Sequence, residues 1–534
     1  MSELDTSSNH INELRINELR IRGLSLDTRT LNSGELFIAL KGLVQDGRRY
    51  IPEAIQKGAV AILTEVERLE TGTKNENQES KNFEQNEFLK NIERSHIPVI
   101  YYSDLRNSVG HIASHFFEQP SRTLSVIGIT GTNGKTSCSH FIAQILSDCN
   151  TFCGVMGTLG NGFLGSLKAN GCTTLDPIQT QNHLFNLKKQ GAETVAMEVT
   201  SHALTQGRVE GVDFHTAIYT NLTRDHLDYH ANMEDYFRAK QRLFTDYKPK
   251  YSIINLDDEY GQRLIKEMIA KADANSQGPN SQDANCQIVG YSTVMNQGFE
   301  GFSIVTATEV NLSKAGIKAV IHSPWGEGIL ECPLLGRFNL SNLLAALSAV
   351  CVQGIPFEKA LAAIKNIKTV SGRMMTLGGQ ADQPTVVVDY AHTPDALSKV
   401  LKALRAHCQG KLWCIFGCGG DRDRGKRAEM AKVVEELSDK IIITQDNPRT
   451  EDPNRIIEDI LSGLKNPADS SHIRVDQNRR TAITEAVLSA DPHDIVLVAG
   501  KGHEDYQIIG TEKYPFSDSV EVLQALNTLN RRTK

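Results

Sequence analysis

The stretch with the clearest chemistry is Gly128-Ile-Thr-Gly-Thr-Asn-Gly-Lys-Thr136. In such a loop the glycines turn main-chain N–H groups toward a phosphate, and the helix that follows adds partial positive charge. The lysine neutralises phosphate oxygens and the threonine hydroxyl can hold a divalent cation. Position 129 is Ile, so the longer GxxxxGK[ST] spacing fails and the loop is the tighter TGTxGKT form. Two further residues join it. Glu198 closes the apolar run Thr194–Met197, and His226 follows Thr216–Leu222 by a short loop. A carboxylate and one imidazole at strand ends suit Mg²⁺ or Mn²⁺. His226 and His230 stand at i, i+4 beside Asp225 and Asp228, but no third soft ligand at suitable spacing makes them a zinc site.

These residues need strands to carry them. Leu124–Ile129, Glu193–Val199, Thr216–Leu222 and Tyr251–Leu256 read as buried strands with helical patterns between them, which predicts a parallel α/β sheet. Thr385–Asp389, Leu412–Phe416, Ile441–Thr444 and Asp494–Ala499 predict a second doubly wound unit. Leu36–Leu40 and Val60–Leu63 predict a smaller one near the N-terminus. A helix at Asn342–Val352 stops at Gly354-Ile355-Pro356. With 534 residues, three α/β domains fit: 1–122, 123–353 and 354–534. Thr71–His96 and Ala270–Asn285 read as polar insertions, and the tandem INELR of Ile11–Arg20 as a charged helical extension.

Composition narrows the class. A net charge of −7 with no basic stripe argues against a nucleic-acid partner. No apolar run approaches the ~20 residues of a membrane span, and the polar N-terminus is no signal peptide. The ten cysteines form no CxxC pairs. Cys149/Cys153 and Cys414/Cys418 lack partner ligands, so reduced thiols in a cytoplasmic protein are expected.

Taken in order, TGTNGKT, Met197–Leu204 (MEVTSHAL), Asn221–His230 (NLTRDHLDYH), Gly336–Asn342 (GRFNLSN), Ser371–Arg373 (SGR) and Asp389–Pro394 (DYAHTP) resemble the Mur ligase family, which also includes folylpolyglutamate synthetases. The resemblance covers nearly the whole chain outside the N-terminal extension and the insertions. It implies a central P-loop ATPase-like sheet, a C-terminal Rossmann-like domain and a smaller N-terminal α/β domain that binds the UDP-linked substrate. It also implies an ATP-dependent acid–amino-acid ligase of peptidoglycan precursor synthesis that forms an acyl phosphate and releases ADP and phosphate.

The residue roles below follow from that resemblance. Gly131, Thr132, Asn133, Gly134, Lys135 and Thr136 would hold the ATP phosphates, Asn339 and Asn342 the adenine, and Asp389, with His392 beside it, the ribose. Lys240, in YFRAKQRLF, matches the lysine that becomes a carbamate. With Thr136, Glu198 and His226 it would hold two Mg²⁺ ions, and Arg373 would meet the γ-phosphate. Thr28, Thr173, Thr174, Gln179–Gln181, Ser201, Gln206 and Arg208 resemble contacts to the UDP-muramoyl-peptide. The segment Lys41–Gln45 departs from the family, lacking the His-Gln pair common among diaminopimelate-adding members.

Asp446-Asn447-Pro448-Arg449 resembles the DNPR motif of the meso-diaminopimelate-adding members. The physics agrees, because diaminopimelate carries a distal carboxylate that a guanidinium can bind with two parallel hydrogen bonds, and lysine has none. Arg422, Gly500 and Glu504 complete that set, with Glu504 matched to the distal ammonium. A lysine-adding synthetase and a nucleotide-binding switch are the alternatives. The resemblance implies three small-molecule substrates and a monomer.

Overall fold

In the computed structural model, residues 14–16, 19–42, 46–65, 97–169, 171–227, 229–276, 286–294, 301–313, 315–380, 382–469 and 471–532 are described. Two compact units result: Met1–Lys135 with Thr151–Ser252 and Leu264–Gln287, and Thr136–Asn150 with Ile253–Arg263 and Ile288–Lys534.

Besides a two-stranded pair near the N-terminus, the first unit holds two sets of paired strands. Strands Gly23–Ser25, Glu35–Ala39, Ala61–Glu65 and Val99–Tyr102 pair in parallel in that order. Alternation sends Leu36 and Ile38 to one face, with Val109 and Ala113 of helix Leu105–Phe116. Phe37 and Ala39 go to the other, with Ile51 and Ala54 of helix Ile51–Gln56. The second sheet runs Phe214–Tyr219, Ser125–Thr130, Thr194–Glu198 and Cys153–Gly157 in parallel, then antiparallel Gly160–Phe163. Its central strands are buried at every position but Ser125, as parallel strands with both faces covered should be. Register places Glu198 beside Ile129 and Tyr219 beside Thr130, so their carboxyl ends share one edge.

The second unit holds helix Arg337–Val352, buried along most of its length, and an antiparallel run Ser303–Ser313, Gly316–Ser323 and Gly326–Cys332 that the sequence reading did not anticipate. It also holds a six-stranded sheet in the order Met375–Gly378, Thr385–Asp389, Ile495–Ala499, Leu412–Phe416, Lys440–Ile443, Ile473–Val475, parallel except for the first strand. One core packs Val387, Leu497 and Phe416 against Leu401 and Ile460. The other packs Val388, Val498 and Ile415 against Ile483 and Val522. The predicted strands of this sheet are thus observed within a residue of their expected bounds.

Two expectations are corrected. The INELR repeat is not helical where described: Leu14–Ile16 and Leu19–Ile21 pair antiparallel, Arg15 opposite Arg20. Each repeat contributes an apolar–charged–apolar triplet, which has the period of a strand. The expected insertion at 270–285 begins as the last turns of helix Glu259–Ser276; residues 277–285 lie outside the described set, as does 71–96.

Candidate functional site

The strand Ser125–Thr130 delivers the chain into the phosphate loop, and helix Lys135–Asp148 leaves it. Gly131 has φ +147°, and a Cβ there would stand 1.9 Å from Thr220 Oγ1, so only glycine fits. The loop is fixed from the neighbouring strand's end. Thr132 N donates to Asn221 O (2.9 Å), Asn133 N donates to Asn221 Oδ1 (3.0 Å), and Thr220 Oγ1 donates to Asn133 O (2.6 Å). Lys135 Nζ lies across the loop, donating to Gly131 O (2.8 Å) and Thr132 O (3.0 Å).

Lys240 belongs to the same cluster. Helix Met233–Thr245, capped by Asn232, buries it completely between Tyr236 and the loop. Its Nζ donates to Gly131 O at 3.0 Å. Burial, and then the nearby Lys135 charge, hold this amine well below the ordinary lysine range, with Asp225 opposing. A buried amine with a depressed pKa is the unprotonated nucleophile that CO₂ addition requires.

Glu198 is buried at the carboxyl end of its strand. Its Oε1 accepts from Thr158 N (2.9 Å) and Oε2 from Thr158 Oγ1 (3.1 Å), and Thr158 Oγ1 meets Thr173 Oγ1 at 3.1 Å. Thr174 Oγ1 donates to Glu198 O (3.0 Å), and Arg208 donates to Thr174 O (3.0 Å) and Gln206 Oε1 (2.9 Å). Gln206 continues to Tyr229, and Ser201 pairs with His230 Nε2 at 2.9 Å. Of the expected substrate set, Thr173, Thr174, Gln206 and Arg208 are thus linked by hydrogen bonds to Glu198, while Ser201 pairs with His230. Gln181 is a fully buried residue bonded to Gly211 O, and Thr28 lies apart, its carbonyl accepting from Lys57 (2.8 Å).

His226 has φ +53° and lies 3.5 Å from Asp225. Its ring packs edge-on against His202 (5.0 Å) and Tyr236 (6.0 Å). Thr136 is buried in the first turn of its helix. Among the described residues no three His, Cys, Asp or Glu side chains gather as a ready metal site. The donors that do stand here, a buried carboxylate, an imidazole and a buried amine of lowered pKa, fit Mg²⁺ once the amine is converted to a carbamate. Asp228 lies outside the described residues.

In the second unit, Asn339 donates to Leu335 O (2.8 Å), and Asn342 accepts from Cys138 Sγ at 3.6 Å on the helix that follows the loop. Asp389 is buried, its oxygens accepting from Met374 N and Ala391 N at 2.8 Å. Burial pushes its carboxyl upward against the opposing Arg373. Arg373 stacks 4.7 Å above the Tyr390 ring, and its buried Nε has no hydrogen-bond partner among the described residues. His392 lies 2.7 Å from Tyr390 O.

The loops expected to bind the amino-acid acceptor gather at the carboxyl edge of the six-stranded sheet. Asn447 Nδ2 donates to Glu504 Oε2 (2.9 Å), and its Oδ1 accepts from Lys501 Nζ (3.0 Å) and Ile508 N (2.9 Å). Gly500, φ +118°, leaves room for Asp446 Oδ2, 2.5 Å from where a Cβ would be. Burial raises Asp446 against the opposing Arg479 and Lys501. Arg449 has φ +53°. It is held there by N–H donation to Ile508 O (3.1 Å) and by Gly510 N donating to its carbonyl (2.8 Å), both from the hairpin Tyr506–Ile509/Glu512–Pro515. Its Nη1 donates to Gly420 O at 2.8 Å. Arg422 is exposed on the adjoining loop. Sequence reasoning missed Lys501, which is fully buried and pairs with Glu504 at 2.9 Å, and Thr158, Tyr236 and His202. Lys501 was visible in AGKGHE, but nothing local marks it as buried.

Known proteins resemble this chain along nearly its whole length. The Mur ligase family, catalytic domain, matches residues 20–117, the Mur ligase middle domain 129–350, and the Mur ligase, glutamate ligase domain, 372–502. UDP-N-acetylmuramoyl-L-alanyl-D-glutamate--2,6-diaminopimelate ligase of Coxiella burnetii is 46% identical over 506 residues, covering 95% of this chain and 96% of the relative. The Pseudomonas aeruginosa ligase of the same name is 44% identical, covering 95% of each. A solved structure of a ligase with that name superposes with a TM-score of 0.67 at 35% identity, covering 98% of each chain. With family matches spanning all three segments and relatives this similar along nearly their whole length, the chain belongs to the Mur ligase family.

Proposed function

We propose that this ligase adds meso-diaminopimelate to UDP-N-acetylmuramoyl-L-alanyl-D-glutamate, consuming ATP. The observation that carries the reading is Arg449, held in a left-handed backbone conformation by Ile508 and Gly510, with its guanidinium on Gly420 O of the loop that carries Arg422. A guanidinium fixed there suits the distal carboxylate of diaminopimelate. The names of the similar ligases support the same substrates. Residues 1–122, 123–353 and 354–534 form the UDP-substrate, ATP and amino-acid domains, and each family match falls inside one of them.

The phosphate loop orients ATP while the glutamate carboxylate oxygen attacks the γ-phosphorus and ADP leaves. The amine of diaminopimelate then attacks the acyl carbon, phosphate departs, and the nitrogen loses a proton. Lys135 and Arg373 offset the repulsion between the two anions. Glu198, His226, Thr136 and carbamylated Lys240 would hold Mg²⁺, which supplies further positive charge when bound. Asn339, Asn342 and Asp389 orient the nucleoside, while Thr28, Thr173, Thr174, Ser201, Gln206 and Arg208 hold the muramoyl-peptide. Arg422, Asp446, Asn447, Arg449, Gly500 and Glu504 bind the amino acid. An ATP-consuming reaction supports a cytoplasmic location. Among the described residues no helix is long and apolar enough to cross a membrane.

The test offers purified protein UDP-muramoyl-dipeptide, ATP and either diaminopimelate or lysine, and weighs the product. A mass gain matching diaminopimelate with ADP release is expected; a lysine adduct formed with equal efficiency overturns the reading.

A further inference from the structure

The two loops that carry Arg422 and Arg449 lie about thirty residues apart in sequence, yet one buried guanidinium reaches both. Arg427, in the first turn of helix Gly425–Leu437, has no exposed side-chain surface. Its Nη1 donates to Glu451 Oε1 and Asp459 Oδ2 (2.8 Å each), and its Nη2 donates to Glu451 Oε2 (2.7 Å) and Gly419 O (3.2 Å). Glu451 Oε2 also accepts from Asp421 N (3.0 Å). Asp421 Oδ2 in turn accepts from Thr450 N (3.1 Å) and Oγ1 (2.8 Å). Gly420 N donates to Asn447 O (2.9 Å), while Gly420 O accepts from Arg449. The loops approach so closely that a Cβ on Gly420 would stand 1.9 Å from Pro448 O.

We infer that the Arg427–Glu451 pair is a positioning clamp that sets the spacing between the Arg422 and Arg449 loops, and so the fit of the amino-acid acceptor. Neither residue touches the acceptor. A fully buried fork bound to both oxygens of one carboxylate admits little play, and the carboxylate belongs to the loop two residues beyond Arg449. The inference rests on the acceptor site proposed above.

The test is steady-state kinetics on the full chain, with melting temperatures, for Glu451→Ala, Arg427→Lys and the double variant. Losing a bidentate charge-assisted contact should raise the apparent KM for diaminopimelate about tenfold or more. The KM values for ATP and the UDP substrate should stay within about twofold, because those sites keep their contacts. The double variant should be no worse than the poorer single variant, since both break one clamp. If Glu451→Ala melts below the assay temperature, Glu451→Gln, which keeps one acceptor oxygen for the guanidinium, carries the comparison. An unchanged diaminopimelate KM in folded variants, or equal rises for all three substrates, overturns the clamp. Should the wild-type chain accept lysine and not diaminopimelate, the acceptor reading fails, and the same comparison with lysine decides the clamp on its own.

Discussion

The phosphate loop and the acceptor loops solve the same problem, holding an anion, by different means. Around the phosphate loop the scaffold is main chain. Lys135 and Lys240 both rest on the Gly131 carbonyl, and Asn221 and Thr220 clasp loop backbone. Around the acceptor loops the scaffold is side chain. Arg427 bridges Glu451 and Asp459, Arg479 pairs with Asp518 with neither exposed, and Lys501 joins Asn447 to Glu504. A backbone cradle recognises phosphate whatever else a family member binds, whereas ion pairs between loops can be redrawn one residue at a time. The shared step of the chemistry is thus built from backbone geometry and the selective step from side-chain networks.

This contrast sets how each region breaks. The largest effect is expected at the phosphate loop. Gly131→Ala drives a methyl group into Thr220 at an unfavourable φ, and Lys135→Ala removes the loop's cation. Each should lower turnover roughly 100-fold or more while circular dichroism stays unchanged. Lys240→Met should also lose turnover, yet gain stability. Burial holds this amine well below its ordinary range in the folded chain, whereas the unfolded chain protonates it near its ordinary value of about 10.5. Unfolding therefore takes up a proton, and wild-type stability rises with pH until the unfolded amine deprotonates. The variant should melt higher near neutrality and lose that slope, which denaturant titrations across alkaline pH would measure.

A smaller loss is expected from Lys501→Met, which leaves Glu504 without its cation beside buried Asp446. Breaking so buried a pair costs roughly 2–4 kcal/mol, readable as a lower melting temperature, with a weaker effect on ATP than on amino-acid KM. The smallest is a pH effect. Arg427 holds Glu451 down at about 2, so the pair is ionised throughout the neutral range. Its contribution is present above the unfolded carboxyl value and fades as pH falls through about 2. Glu451→Gln should lower stability by a constant amount across the neutral range and flatten the acid limb of the stability curve.

The same contrast explains what was legible. TGTNGKT could be read because the cradle is contiguous and glycines stand at its two positive-φ positions, Gly131 and Gly134. Glu198 and His226 could be placed because apolar runs end beside them. Parallel register then brings Glu198 level with Ile129. Arg427, Lys501 and Arg479 could not be read, because a charged residue in a polar segment looks solvated until its partner 24, 3 or 39 positions away is placed against it. The antiparallel strands of Ser303–Cys332 were missed for a related reason. Their burial is partial and interrupted by exposed positions, so they lack the solid apolar runs that mark the parallel strands. The INELR repeat misled because its charges suggested a helix surface while its apolar spacing fits a strand.

The central claim is that Arg449 selects the amino acid. The direct measurement is kcat/KM for diaminopimelate and for lysine in the wild-type chain and in Arg449→Ala, which keeps the Cβ that arginine already carries at φ +53°. A bidentate guanidinium–carboxylate contact in a partly desolvated site contributes roughly 2–4 kcal/mol, so the preference for diaminopimelate should fall about 30- to 1000-fold. Arg449→Lys should restore only part of it, since an ammonium cannot form two parallel hydrogen bonds to one carboxylate. A ratio between the two amino acids left unchanged by Arg449→Ala would show that the guanidinium serves only to hold Gly420, and would contradict the account.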